Sequence, residues 1–149
     1  TVTGVTGLDY PLTLFAEFER ASDSGTNTGA LEVRVSANER THLQITSSDY
    51  GGVFCRAGGV SQADLAIADT TLALNTVYRL AARIEGNNVR ASRGGVLSGL
   101  DSSATMPSTP STIGFGLVGS SSHLFGYLRR AAIYASAKTD AQLQAMTNT

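Results

Sequence analysis

Apolar and polar residues alternate along most of the chain. Leu12, Leu14, Ala16 and Phe18 interleave with Thr13, Glu17 and Glu19, and Phe15 is the one apolar residue on the polar side. Successive side chains of a strand point to opposite faces, so this pattern predicts a strand with one face in a core. The alternation recurs where Leu31, Val33 and Val35 interleave with Glu32, Arg34 and Ser36. It recurs again where Leu43 and Ile45 interleave with His42, Gln44 and Thr46. Tyr78, Leu80, Ala82 and Ile84 alternate with Val77, Arg79, Ala81 and Arg83, and Val89 and Ala91 with Arg90 and Ser92. Tyr50 to Arg56 is a further short strand. Ile113, Phe115 and Leu117 alternate with glycines, and a run from Leu124 to Tyr134 closes the series.

Turn chemistry separates these runs. Ser22 to Gly29 is a polar, glycine-containing loop. Glu85-Gly86-Asn87-Asn88 and Arg93-Gly94-Gly95 predict tight turns, because Gly and Asn tolerate positive φ. Ser98 to Thr112, with Pro107 and Pro110, predicts a surface loop, and Ala63 to Ala73 a short strand with a loop. One helix is predicted, at the C-terminal end. Thr139-Asp140-Ala141-Gln142 fits a capping box, Asp140 complements the helix dipole, and Leu143 and Met146 would face a sheet. About eight short strands at this spacing predict an all-β, antiparallel sandwich or barrel. The whole chain, residues 1–149, is expected to form one domain.

Composition narrows the function classes. At 42% hydrophobic and 15% charged residues the chain is globular. A net charge of −1 gives no footprint for nucleic acid. Of the 11 basic residues only Lys138 is a lysine. Arginines suit planar, bidentate contacts, although a GC-rich genome would give the same bias. Cys55 has no partner for an intrachain disulfide, and between Phe54 and Arg56 on a strand it is expected to be a buried, inert thiol. No apolar run approaches the roughly 18 residues of a membrane span. Thr1-Val2-Thr3-Gly4 lacks the features of a signal peptide, and the expectation is a free-standing small protein.

Two segments resemble a known family. The stretch from Asn75 to Ser92, with its Tyr78-Arg79-Leu80-Ala81 strand and Gly86-Asn87 turn, resembles the central hairpin of concanavalin A-like (laminin-G-like) jelly rolls. The Gly126-Tyr127-Leu128-Arg129-Arg130 strand, followed by Thr139-Asp140-Ala141-Gln142-Leu143-Gln144-Ala145-Met146-Thr147, resembles the C-terminal signature of that family in structural proteins of tailed bacteriophages. The chain departs from it at Arg93-Gly94-Gly95, where the family often has Asn-Gly. The resemblance implies a two-sheet antiparallel jelly-roll sandwich with a short C-terminal helix that plugs the sheet edge. It further implies a non-catalytic virion protein, made in the host cytoplasm and carried on the virion surface. The first expectation is a capsid cement or decoration protein that binds neighbouring capsid or tail subunits, as a homo-oligomer and most simply a dimer. The alternative is a glycan- or receptor-binding module of a tail fibre.

Little in the chain points to chemistry. Gly114-Phe115-Gly116-Leu117-Val118-Gly119 matches a dinucleotide-binding fingerprint in form only, because it lies in a strand pattern with no helix after it. Glu17 and Glu19 share one strand face, but a glycoside hydrolase needs two carboxylates across a cleft, and a solvated face is expected. His42, expected to point outward from its strand, and His123 stand in unrelated contexts, and with Cys55 they show no zinc spacing. No cofactor is expected. The family resemblance implies a rim calcium, for which Asp23 to Asn27 or Asp101 would be the source, but no acidic cluster supports it. Glycan stacking would fall to Tyr10, Tyr50 or Tyr127, since the chain has no Trp. Arg79 and Arg83 share a strand face, and Arg90 is expected across the hairpin. Like charges so placed repel, so these three either serve a protein interface or are neutralised by Glu17, Glu19 or Glu32.

Overall fold

Two antiparallel sheets close on one another over the apolar stripes read above. The computed structural model describes residues 1–119 and 122–148. In chain order the strands are β1 (Val2–Thr3), β2 (Leu12–Arg20), β3 (Thr28–Ser36), β4 (Glu39–Ile45), β5 (Gly51–Ala57), β6 (Val60–Ala66), β7 (Val77–Glu85), β8 (Asn88–Arg93) and β9 (Val96–Leu97). They continue as β10 (Thr112–Phe115), β11 (Leu117–Val118), β12 (Ser122–His123) and β13 (Gly126–Tyr134), before the helix α1 (Asp140–Thr147). One sheet has six strands in the order β1-β10-β3-β4-β5-β6, and the other has five in the order β13-β2-β7-β8-β9. The hairpin β11–β12 stands apart from both. This is the expected all-β, two-sheet antiparallel jelly-roll sandwich with a short C-terminal helix.

The core lies between the sheets. Leu12, Leu14, Ala16 and Phe18 of β2 and Leu80, Ala82 and Ile84 of β7 pack against Leu31, Val33, Leu43, Ile45 and Val53 of the six-stranded sheet. Each large side chain so buried contributes roughly 1.5–3 kcal/mol. Cys55 belongs to the same cluster and is fully buried. Burial pushes its thiol up to about 11, so it stays protonated and inert. The tight turns form where expected. Gly86 and Asn87 join β7 to β8, and Gly94 and Gly95, both at positive φ, join β8 to β9.

Three expectations change. Val35 was assigned to the core face but is 44% exposed, because β3 shifts register against β4 between Arg34 and Ser36 and leaves the sandwich there. Phe115, also 44% exposed, ends β10 just before Gly116 turns the chain at positive φ. The helix does not plug a sheet edge. It lies across the outer face of the five-stranded sheet, where Leu143 is fully buried against Phe15 and Ala81. That cover explains why Phe15 breaks the alternation of β2. The Thr139 cap forms with its reciprocal Gln142 bond, and Thr147 Oγ1 shares a hydrogen bond with Ser92 Oγ at 2.8 Å.

Leu143→Ala is expected to lower unfolding stability by about 2–4 kcal/mol, since the cavity beneath α1 is closed on the sheet side by Phe15 and Ala81. A urea titration at neutral pH measures it, and a loss below about 0.5 kcal/mol would show that the helix is not needed to cover this face.

Candidate functional site

With α1 on the five-stranded sheet, the outer face of the six-stranded sheet is the broad surface left for a ligand. Cross-strand register sets out its side chains in rows. Arg34 of β3, Arg40 of β4 and Arg56 of β5 stand directly opposite one another. The next row runs Gly114, Glu32, His42, Phe54 and Asp64. A third holds Gly29, Gln44 and Gly52. The β11–β12 hairpin folds over part of these rows. Val118 sits where a side chain on residue 29 would have to be, so only glycine at that position admits the hairpin. The Gly119 amide donates to both Glu32 carboxylate oxygens, at 3.3 and 3.1 Å.

Beside this hairpin is a cavity of about 110 Å³, lined by Arg40, His42, Gln44, Phe54, Val118 and Ser122 among others. The Phe54 ring organises it. The His42 ring lies 5.1 Å from it at 30°, and the guanidinium groups of Arg40 and Arg56 each lie over it at 5.6 Å. Gln44 Nε2 donates to Asp64 Oδ1 at 2.6 Å. Of the six side-chain polar atoms buried without a hydrogen-bond partner among the described residues, three belong to this face: His42 Nδ1, Arg40 Nε and Arg56 Nε.

Burial dominates the electrostatics. It raises the Glu32 carboxyl above its ordinary range, against the opposing Gly119 hydrogen bond and the Arg34 and Arg40 charges. It lowers Arg40, and with the Arg40 charge it takes His42 down to about 3, so His42 is neutral at physiological pH. Seven arginines make ion pairs with described carboxylates: Arg20, Arg34, Arg79, Arg83, Arg90, Arg93 and Arg129. Arg40, Arg56 and Arg130 make none among the described residues, and rest on aromatic rings instead, Arg40 and Arg56 on Phe54 and Arg130 on Phe15.

The residues singled out from the sequence fall elsewhere. Arg83 stands across the hairpin from Arg90 as expected. Arg79 binds Glu17 at 2.8 Å, while Arg83 and Arg90 share Asp140 at 2.9 and 2.6 Å. Glu17 is thus one of their counter-charges, the helix supplies a second in Asp140, and Glu85 meets Arg83 at 3.4 Å as a third. Glu32 is on the opposite sheet, and Glu19 pairs with Arg129. Glu17 and Glu19 are each held by an arginine and neither lines the cavity. Asp23 Oδ1 accepts the Gly25 amide and meets Arg20, and Asp101 Oδ1 accepts the Ser103 amide. Among the described residues no group of three His, Cys, Asp or Glu is placed to hold a metal ion. The glycine motif runs from β10 through a turn into β11, with no helix after it. Tyr10 packs against the core with its hydroxyl 3.2 Å from Thr41 Oγ1, whereas Tyr127 is 65% exposed on β13.

His42 does point out of its sheet, but it is only 5% exposed, because the β11–β12 hairpin forms a third layer above it. The grouping of Arg34, Arg40, His42 and Phe54 escaped the sequence reading. The turn at Ala37-Asn38 pairs Ser36 with Glu39, but a register shift between Arg34 and Ser36, which no local pattern signals, sets Arg34 opposite Arg40.

No family model and no curated protein matches the chain by sequence. Solved structures do match the fold. The CBM40 module of the Ruminococcus gnavus IT-sialidase, bound to α2,3 sialyllactose, has a TM-score of 0.75 at 16% identity, covering 93% of this chain and 83% of that one. Domain 4 of AbnA, an extracellular GH43 arabinanase of Geobacillus stearothermophilus in complex with arabinotriose, gives 0.73 at 13% identity over 93% of this chain and 66% of that one. The heptameric SAP-like pentraxin of Limulus polyphemus gives 0.67 at 12% identity over 90% and 68%. At these identities the likeness establishes the jelly-roll sandwich and no more.

The buried histidine makes stability depend on pH. His42 takes a proton near 6.5 when unfolded and only near 3 when folded. Between those values the unfolded chain binds more protons, so stability is lost as pH falls. The contribution is on the order of 3 kcal/mol by pH 4. Urea titrations at pH 7 and pH 4 are expected to show His42→Gln losing less stability between them than the parent. Equal losses would mean that folded His42 accepts a proton normally.

Proposed function

We propose that the chain is a non-catalytic carbohydrate-binding module whose ligand sits on the outer face of the six-stranded sheet. The observation that carries this reading is the cavity floored by Arg40, His42, Gln44 and Phe54 on the sandwich face that α1 leaves open. A pocket with a few convergent polar groups beside an aromatic ring is the ordinary form of a small-ligand site. Neighbours of the same fold include modules bound to sialyllactose and to arabinotriose. The C-terminal signature supports a virion setting, in which the module would belong to a tail fibre. The capsid-cement reading has less behind it. The residues of the signature are accounted for by the fold, as the capping box at Thr139 and the covering side chain at Leu143.

A glycan array followed by calorimetry tests the proposal. Phe54→Ala is expected to weaken the strongest array ligand at least tenfold, which corresponds to about 1.4 kcal/mol. Retention of no glycan, or unchanged affinity in the variant, would remove the proposal.

A further inference from the structure

We infer that this face is an anion site, built to take the carboxylate or sulfate of an acidic glycan between Arg40 and Arg56. The inference rests on the glycan-binding reading above and names the ligand class for the same site.

The argument begins with charge. Arg34, Arg40 and Arg56 stand in cross-strand register, and like charges directly opposite one another destabilise a sheet. On the other sheet the cross-strand pair Arg83 and Arg90 is resolved by a carboxylate, Asp140. In this row only Arg34 has such a partner. It meets Glu32 at 3.5 Å, and Glu32 already takes the Gly119 amide. The other carboxylate of the neighbouring row, Asp64, accepts from Gln44 and makes no ion pair with Arg40 or Arg56. Among the described residues Arg40 and Arg56 therefore make no ion pair, and Arg40 has only a share of the field of Glu32, which already pairs with Arg34.

Hydrogen-bond chemistry points the same way. A guanidinium offers donors only, in a planar fork that fits a carboxylate or sulfate. Phe54 holds both guanidinium groups over its ring and so limits the freedom lost on binding. Neutral His42, with Nδ1 unpartnered, adds a polar group without adding charge. Arg40 lines the cavity of about 110 Å³ and Arg56 stands outside its lining on the other side of the row, so the acid would lie at the rim beside Phe54 with the sugar ring on the open face.

Calorimetry with 3′-sialyllactose, lactose 3′-sulfate and lactose separates the possibilities. NMR of the arginine Nε–H signals on adding sodium sulfate gives a readout independent of any variant. At least one acidic trisaccharide or sulfated sugar is expected to bind tenfold or more tightly than lactose. Arg40→Gln and Arg56→Gln should each cut that affinity fivefold or more, whereas Arg129→Gln, paired with Glu19 on the other sheet, should not. The carboxylate and sulfate arms show which acid is preferred. Equal binding of lactose, or acid binding that survives both substitutions, overturns the anion site and leaves the glycan reading standing. Sulfate shifts at Arg40 and Arg56 without any glycan bound uphold the anion site and end the glycan reading. No shift and no acid binding end both.

Discussion

A sheet has two faces, and a sandwich buries only one of each. The structure of this protein follows from how the remaining two faces are finished. The inner faces meet over Phe18, Leu80, Leu31 and Leu43, and that burial supplies most of the cohesion. One outer face is covered over β7, β8 and β9 by α1, whose Leu143 covers Phe15. The other receives only the small β11–β12 hairpin, which leaves a polar cavity at its side.

On the α1 side Arg130 lies over the Phe15 ring without an ion pair among the described residues, while three other arginines there are paired: Arg79 with Glu17, and Arg83 and Arg90 with Asp140 of the helix they hold down. These bonds tie α1 to the sheet. On the half-covered side Arg40 and Arg56 lie over an aromatic ring in place of a carboxylate. Leaving cations partly buried and unneutralised costs stability, and such departures from local consistency tend to mark functional sites.

Glu32 and His42 are the second departure. Both are buried polar residues in the middle of a strand, and burial moves each toward its neutral form. They are covered because Gly29 lets Val118 descend onto the sheet and Gly119 brings its amide to Glu32. The glycine pattern from Gly114 to Gly119, empty as a nucleotide motif, thus serves to bend the chain back over its own sheet.

The sequence by itself determined the strands, their inward stripes, the glycine turns and the capped helix. Each of these depends on residues close together in the chain, through the period of two, positive φ, or a reciprocal cap. Beyond the β7–β8 hairpin, which its turn announces, the tertiary structure decided which strands became neighbours. Register across β3, β4 and β5 aligned Arg34, Arg40 and Arg56 and set His42 against Phe54. The docking of α1 gave Arg83 and Arg90 an aspartate 50 or more residues away. Alternation tells a polar residue which face to take, but not what will lie above that face. His42 is buried because a hairpin far along the chain covers it, and no local pattern contains that fact.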